Sequence, residues 1–504
     1  MSARASHLVI ALLTLGLPMA AGAEPFIRVE GTRLMAGATP FYFVGANLNV
    51  MHGPVARRLA SPPIAAAARD GLKVGRIWAM GEGEAGAPGW RVQDELFRAG
   101  PQGWQEAAFV QLDGVIAQAS ARGVRLIITL ANRWGDYGGA PMYLRWAGVT
   151  NEDEYGQVDG FFSNPRCRGW YLEHLRKVVG RTNSVTGVAY KDDPTIMSWE
   201  LMNELGGTPE AAPARRRWAS EMMRAVRTLD PNHLVVPGTL GYDLSLEREA
   251  WIDMCSLPGA AYCDQHAYPG DDPRSRTPRQ MARYIDDRVQ LAHHVVGKPI
   301  IFGEFGFPDR GSMARRAEQH ARFLRRVFLD GGNGALAWIY QPTISWKRRF
   351  GLMVDQRRHR VVRRALARAA RKVQRRMPRG ANRALGAAKG RARLWPSHFT
   401  RLGPRRAPHG RWRRDEDKKG ATLTIPVDQF HAARFETSGT WAGGELVHVY
   451  GRRTGWLTYR FRGPGFRPAR LVLRLRLSSE YPGKVSPSHG SSRVKVKLDG
   501  VDLA

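Results

Sequence analysis

Cysteine is scarce in this chain: it contains only Cys167, Cys255 and Cys263. That excludes a fold stapled by a disulfide framework. There is also no C-x-x-C pair and no histidine cluster at metal-ligand spacing, so no metal and no cofactor is expected. Cys255 and Cys263 are near enough in sequence to bridge a short loop in an oxidising compartment, leaving Cys167 free; three buried thiols is the equal alternative. Long apolar runs are lacking too. Beyond Leu17 no stretch approaches the ~20 residues that a membrane-spanning helix needs. The run from Leu8 to Leu17 follows Arg4 and precedes Ala21-Gly22-Ala23, the pattern of a secretory signal over residues 1–23. The expectation is a secreted protein, extracellular or periplasmic.

Acidic residues are in deficit, with 45 Asp and Glu against 77 Lys and Arg, a net charge of +32. The imbalance is local. Residues 347–419 hold 26 Lys and Arg against Asp355, Asp415, Glu416 and Asp417, so that segment alone carries +22. It has few interleaved aromatics and no nucleic-acid-binding motif, which argues against a nucleic-acid partner. A solvated linker, or docking on an anionic surface, fits it better. The chain is expected to act as a monomer.

What is present is an alternation. Eight short apolar runs punctuate residues 26–375: Phe41 to Asn47, Val74 to Ala79, Val124 to Leu130, Thr195 to Leu201, His233 to Pro237, Ala261 to Ala267, Pro299 to Gly303 and Ala335 to Ile339. Amphipathic helical patterns lie between them, at Trp104–Arg122, Arg168–Thr182, Ala214–Leu229 and Met313–Leu329, and Asp355–Lys372 reads as a closing helix. Apolar strands alternating with helices imply a parallel sheet covered on both faces. Eight of them predict an α/β protein of the (β/α)8 TIM-barrel class rather than an open doubly wound sheet, whose Gly-rich first turn is missing at Val44-Gly-Ala-Asn-Leu-Asn49. The expected domains are the signal at 1–23, a catalytic barrel at 24–375, an Arg-rich linker at 376–419 and a β-rich, sandwich-like accessory domain at 420–504.

Two glutamates stand at the ends of strand-like runs. Glu204 closes Thr195-Ile-Met-Ser-Trp-Glu-Leu-Met-Asn-Glu, and Glu304 closes Lys298-Pro-Ile-Ile-Phe-Gly-Glu. A buried carboxylate at a strand tip is costly unless it does chemistry. The two are 100 residues apart, room for about three βα units of ~30 residues, which places them on strands four and seven of one barrel. Carboxylates facing each other across a scissile bond suit glycoside hydrolysis, one protonating the leaving oxygen and the other attacking or activating water. Glu200, four residues before Glu204, reads as a buried structural carboxylate.

The segment Thr186-Gly-Val-Ala-Tyr-Lys-Asp-Asp-Pro-Thr-Ile-Met-Ser-Trp-Glu-Leu-Met-Asn-Glu204 resembles glycoside hydrolase family 5, of the clan A barrels, and within it the endo-β-1,4-mannanase branch. Gly71 to Trp78, Ala131 to Gly139, Asp264-Gln-His-Ala-Tyr268, Phe302 to Gly306 and Gly334 to Trp338 agree in order. The resemblance implies a retaining mechanism on β-mannan or a related β-1,4-glycan, with Glu204 as general acid/base and Glu304 as nucleophile. It implies that Arg76 hydrogen-bonds the nucleophile and keeps its pKa low. It makes Asn132 and Asn203 sugar-hydroxyl ligands, places Tyr268 beside the nucleophile with His266, and makes Trp338 the floor under the reacting sugar. Trp78 and Trp134 are further stacking candidates.

Two departures fall where leaving-group sugars would lie. The family often continues Asn-Glu-Pro-Arg, whereas this chain reads Asn203-Glu-Leu-Gly-Gly207. An aromatic common shortly after His-x-Tyr-Pro is replaced at Gly270-Asp-Asp. An exo-β-mannosidase and an endo-β-1,4-glucanase of the same family therefore stay open, as does a non-catalytic carbohydrate-binding protein.

Overall fold

The computed structural model describes residues 24–48, 63–84, 96–149, 158–241, 248–269, 275–342 and 350–385, with short strand segments between 411 and 502. Eight parallel strands form the core: β1 (Phe43–Leu48), β2 (Val74–Trp78), β3 (Arg125–Thr129), β4 (Ile196–Glu200), β5 (Leu234–Val236), β6 (Cys263–Ala267), β7 (Ile300–Phe305) and β8 (Gly334–Gln341). Neighbours in sequence are neighbours in the sheet, and β8 pairs with β1. Between β5 and β6 the ladder is interrupted, but Ala261 N donates to Val235 O and His266 N to Leu240 O, both at 2.9 Å. The result is a nearly closed (β/α)8 barrel. All eight sequence-predicted strands are present.

The apolar runs became strands because both of their faces are covered. Val44, Ala46, Ile77, Leu126, Ile128, Trp199 and Phe305 point out into a continuous core with the surrounding helices. Those helices include α1 (Glu106–Ser120), α2 (Pro165–Val179), α3 (Ala212–Leu229), α4 (Arg248–Ser256), α5 (Pro278–Gln290), α6 (Met313–Asp330) and α7 (Arg360–Leu385). Their starts are set by local chemistry. Asn164 accepts from Arg166 N and Cys167 N ahead of Pro165, and Thr277 and Gln280 form a reciprocal capping box ahead of α5. Each side chain such as Phe323, stacked at 4.4 Å on Phe305, stabilises the shell by about 1.5–3 kcal/mol on burial.

One element escaped the sequence reading. Ile27–Glu30, Arg33–Ala36 and Thr39–Pro40 form a small antiparallel sheet. Its Ile27 and Leu34 pack with Phe43, Val74, Ile127, Met197 and Leu336, closing the barrel floor with an apolar layer. The polar interior therefore lies above that floor, toward the C-terminal ends of the strands.

Cys167, Cys255 and Cys263 are buried free thiols, so of the two alternatives the structure has the unbridged one. No helix among the described residues is long and apolar enough to cross a membrane. The signal at 1–23 lies outside the described residues, as does most of the Arg-rich stretch. Helix α7 continues to Leu385, and beyond it only two-stranded antiparallel pairs are described, such as Arg411–Asp415 with Gly420–Thr424 and Glu436–Trp441 with Gly444–His448. The sandwich expected there lies outside the described residues.

Candidate active site

Backbone irregularities aim both glutamates. In β7, Ile301 pairs with Asp264 and Glu304 with His266, while Phe302 pairs with Ala335 and Phe305 with Ala337. The strand thus carries one residue more than either neighbour around Gly303, a bulge that re-aims Glu304 into the barrel. Glycine is required at the bulge: a Cβ there would sit 2.4 Å from Asp264 Oδ1. Glu204 lies beyond the last residue of β4, Glu200, rather than on the strand. It sits between the isolated bridges Asn132 to Asn203 and Leu205 to Thr239. Its φ of 57° is left-handed, a conformation costing a non-glycine residue roughly 1–2 kcal/mol. The turn points its carboxylate back over the barrel axis.

A single guanidinium organises the interior. Arg76, on β2, donates from Nε and Nη2 to Glu200 (2.9 and 2.6 Å), from Nη1 to Glu304 Oε1 (2.8 Å) and Asn47 Oδ1 (2.9 Å), and from Nη2 to Asn203 Oδ1 (2.7 Å). Asn47 passes the order on to Gly303 O at 2.9 Å. Asn203 passes it to Asn132 Oδ1, also at 2.9 Å. The other Glu304 oxygen accepts from the Tyr268 hydroxyl. Glu204 accepts from Trp134 Nε1 on one oxygen and meets His266 Nδ1 at 2.8 Å on the other. His266 Nδ1 is also 3.6 Å from Glu304 Oε2, so one imidazole bridges the pair. An oxygen of Glu204, one of Glu304 and a His266 nitrogen all lie within 4.8 Å of one another. So close an approach suits the ~5–5.5 Å carboxyl spacing of retaining glycosidases better than the ~6.5–9.5 Å of inverting ones.

Burial and charge set the protonation. Burial pushes the Glu204 carboxyl up, but the hydrogen bond and charge of His266, with the bond from Trp134, bring it below the usual carboxylate range. Burial lifts Glu304 above that range, aided by the nearby Glu204 charge. This corrects the expectation that Arg76 keeps Glu304 low. The contact exists, but Arg76 divides its charge between Glu200 and Glu304, and desolvation outweighs its share. His266 is drawn the other way: burial disfavours its cation, yet Glu304, Glu204 and Asp264 around it raise it to about 9.

Eight of the ten residues expected at the site, Arg76, Asn132, Trp134, Asn203, Glu204, His266, Tyr268 and Glu304, are joined in one hydrogen-bonded cluster, and Trp78 and Trp338 pair with each other. Trp78 and Trp338 form an aromatic wall with ring centroids 6.1 Å apart, and Tyr137 meets Trp78 edge-on at 5.6 Å. Trp78 is buried and Trp338 half-buried, so Trp338 offers the open face. Trp134 is half-buried and engaged with the Glu204 carboxylate. Glu204 has 13% of its side chain exposed against 4% for Glu304, which puts Glu204 at the mouth and Glu304 on the floor. Glu200 is the structural carboxylate that the sequence suggested. Sequence reasoning missed Asn47, Tyr137, Asp264 and Glu82. Glu82 is fully buried and accepts from Gly139 N at 3.0 Å, fixing the loop that carries Asn132 and Trp134. Of the two departures, Gly270-Asp-Asp lies outside the described residues. Leu205 and Gly206 are buried, so neither reaches over the mouth.

The family described as GH family 5 beta-mannosidase-like matches residues 24–328. Among curated proteins, the chain is 31% identical over 309 residues to mannan endo-1,4-beta-mannosidase 1 of Oryza sativa subsp. japonica, covering 56% of this chain and 69% of the relative. It is 31% identical over 347 residues to mannan endo-1,4-beta-mannosidase 1 of Solanum lycopersicum, covering 62% and 83%. Among solved structures, the endo-beta-1,4-mannanase of Thermotoga petrophila superposes with a TM-score of 0.54 at 26% identity, over 66% of this chain and 77% of that one. A family 5 mannosidase of Rhizomucor miehei gives 0.59 at 19% identity, over 69% and 98%, a likeness of fold alone. The chain belongs to glycoside hydrolase family 5, in its β-mannosidase-like group, and is a glycoside hydrolase.

Proposed function

We propose that this family 5 member hydrolyses β-1,4-linked mannan or manno-oligosaccharides from within the chain, with retention of anomeric configuration. The observation that carries the reading is the pair of carboxylates within reach of each other across the barrel mouth, bridged by His266. Glu304, held from two sides by Arg76 and Tyr268, is oriented to attack the anomeric carbon. Glu204, nearer the opening, protonates the leaving oxygen and then takes a proton from the incoming water. Asn132 and Asn203 offer amides to sugar hydroxyls, and Trp338 offers a ring face. The His266 contact favours the ionised form of Glu204, and His266 Nδ1, at 2.8 Å, is a neighbouring donor for the proton that the first step needs.

The mannan assignment is supported by the curated relatives, each of which is named for mannan endo-1,4-beta-mannosidase activity. Product analysis on mannohexaose and cellohexaose tests it. The expected result is a ladder of short manno-oligosaccharides of retained configuration, with cellohexaose left largely intact. Mannose as sole product would move the reading to an exo-β-mannosidase, and cleavage of cellohexaose alone to an endo-β-1,4-glucanase. Inversion would overturn the mechanism.

The same reading takes 24–375 as the catalytic domain of an exported, monomeric enzyme, followed by the Arg-rich linker and the accessory domain. The +22 segment at 347–419 then docks the enzyme on an anionic surface. Retention of the full chain on anionic vesicles is expected to fall steeply between ~0.05 and ~0.5 M salt as screening lengths shorten; salt-insensitive retention would remove the docking role.

A further inference from the structure

Asp264 is a buried side chain held from several sides. It is the second residue of β6 and is buried. Its Oδ1 accepts the Gly303 amide at 3.0 Å, the amide freed by the bulge beneath Glu304. Its backbone oxygen accepts from both Thr239 Oγ1 (2.8 Å) and Trp251 Nε1 (2.9 Å), which fixes the strand at this point. Its Oδ2 lies 3.9 Å from His266 Nε2. That nitrogen is buried and has no hydrogen-bond partner among the described residues. The opposite nitrogen, Nδ1, faces Glu204 at 2.8 Å. The imidazole thus stands between two carboxylates with one nitrogen toward each.

We propose that Asp264 is a positioning residue that keeps the catalytic proton on His266, so that Glu204, His266 and Asp264 act as one proton store for hydrolysis. The proposal rests on the assignment of Glu204 as acid/base. In the first step the Nδ1–H bond of His266 breaks as an O–H bond forms on Glu204. That proton then goes to the leaving glycosidic oxygen, while the C1–O bond breaks and Glu304 bonds to C1. In the second step water loses a proton to Glu204, its oxygen bonds to C1, Glu304 departs, and the proton returns from Glu204 to Nδ1. No proton is gained or lost over the cycle beyond those of the water consumed. Asp264 takes no proton in this scheme; its negative charge beside Nε2 makes the imidazolium the resting form.

His266 is raised to about 9 and burial lifts Asp264 to about 7, so Asp264 carries its charge above that value, over the range in which the imidazolium would otherwise lose its proton. The groups facing the imidazole are Glu204, Glu304 and Asp264. Those facing Asp264 are His266, Glu200 and Arg76, with the buried Tyr262 hydroxyl and Cys255 thiol nearby. Tyr268 binds Glu304, and the Tyr284 hydroxyl caps the His266 carbonyl. Such a cluster titrates as a unit, so the observable is a shift of the whole profile.

The test is Asp264→Asn in the full chain. Asparagine keeps an oxygen for the Gly303 amide and removes only the charge. With that charge gone the imidazolium gives up its proton more readily, so the basic limb of kcat/KM against pH moves down by roughly one pH unit or more. The His266 imidazole resonances, titrated by NMR, are expected to show the same downward shift. This second readout does not depend on turnover, so failure of the glycosidase reading and failure of this one are distinguishable. If Asp264→Asn does not fold, the parent protein decides: a cationic His266 with a slowly exchanging Nε2 proton at pH 7.5 supports the store. A profile and an imidazole titration unmoved in Asp264→Asn, or a neutral His266 at pH 7.5 in the parent, would overturn it.

Discussion

Glu304→Gln is expected to abolish hydrolysis of manno-oligosaccharides, lowering kcat by about 10⁴-fold or more, while leaving their binding intact. The substitution is nearly isosteric. Arg76 Nη1 can still donate to the amide oxygen, and Asn47 and Asp264 still hold the Gly303 bulge. What is lost is the nucleophile, because an amide forms no stable ester with an anomeric carbon. It also removes the charge that an oxocarbenium-like transition state would face at the floor of the site. The measurement is single-turnover cleavage of mannohexaose alongside calorimetric binding of the same sugar. Turnover within tenfold of the parent would remove Glu304 from the mechanism. Loss of binding as well would instead make it a substrate-holding residue.

Arg76→Met is expected to cost more in stability than any other single change within the site. Its guanidinium meets two buried carboxylates and two amide oxygens, and the side chain has no exposure to water. Removing the cation leaves Glu200 and Glu304 facing each other's field without a counter-charge. Breaking a buried pair from one side costs about 3–5 kcal/mol, which for a domain of this size lowers Tm by roughly 4–7 °C. Activity is expected to fall with it, since Glu304 and Asn203 lose the donor that orients them. Pairing the change with Glu200→Gln, which removes the stranded charge, should recover part of the Tm without restoring kcat. Differential scanning calorimetry of the two variants checks this; a Tm within 2–3 °C of the parent in Arg76→Met would show that water or proton uptake replaces the cation freely.

Much of this site was legible in the sequence because chemistry and fold coincide there. The eight strands announced themselves as apolar runs, since a sheet covered on both faces has no polar alternation to blur it. Glu204 and Glu304 stood out because a carboxylate at the tip of such a run has no packing role, and Asn203 and Arg76 through the family resemblance around them. Asp264 and Asn47 stayed hidden: each is one short polar residue inside a strand, and only the neighbouring strand shows what it binds. The floor sheet from Ile27 to Pro40 was missed because its first strand turns three of four residues to solvent and reads as loop. The low Glu304 pKa expected from Arg76 is outweighed by burial, and the sequence neighbours of Arg76 do not show that Glu200 claims two of its bonds.

The extra residue in β7 has a consequence for how such a site can be altered. The direction of Glu304 is a matter of residue count along its strand as much as of side-chain choice, because Phe302 and Phe305 stay in register with β8 while the chain between them is one residue longer than its partner. A glutamate set at the same height on a regular strand would present its carboxylate to the helices or to a different depth of the bore. Transplanting this chemistry to another barrel therefore means moving a length of backbone, with Gly303 and the Asp264 that receives its amide, as one indivisible part.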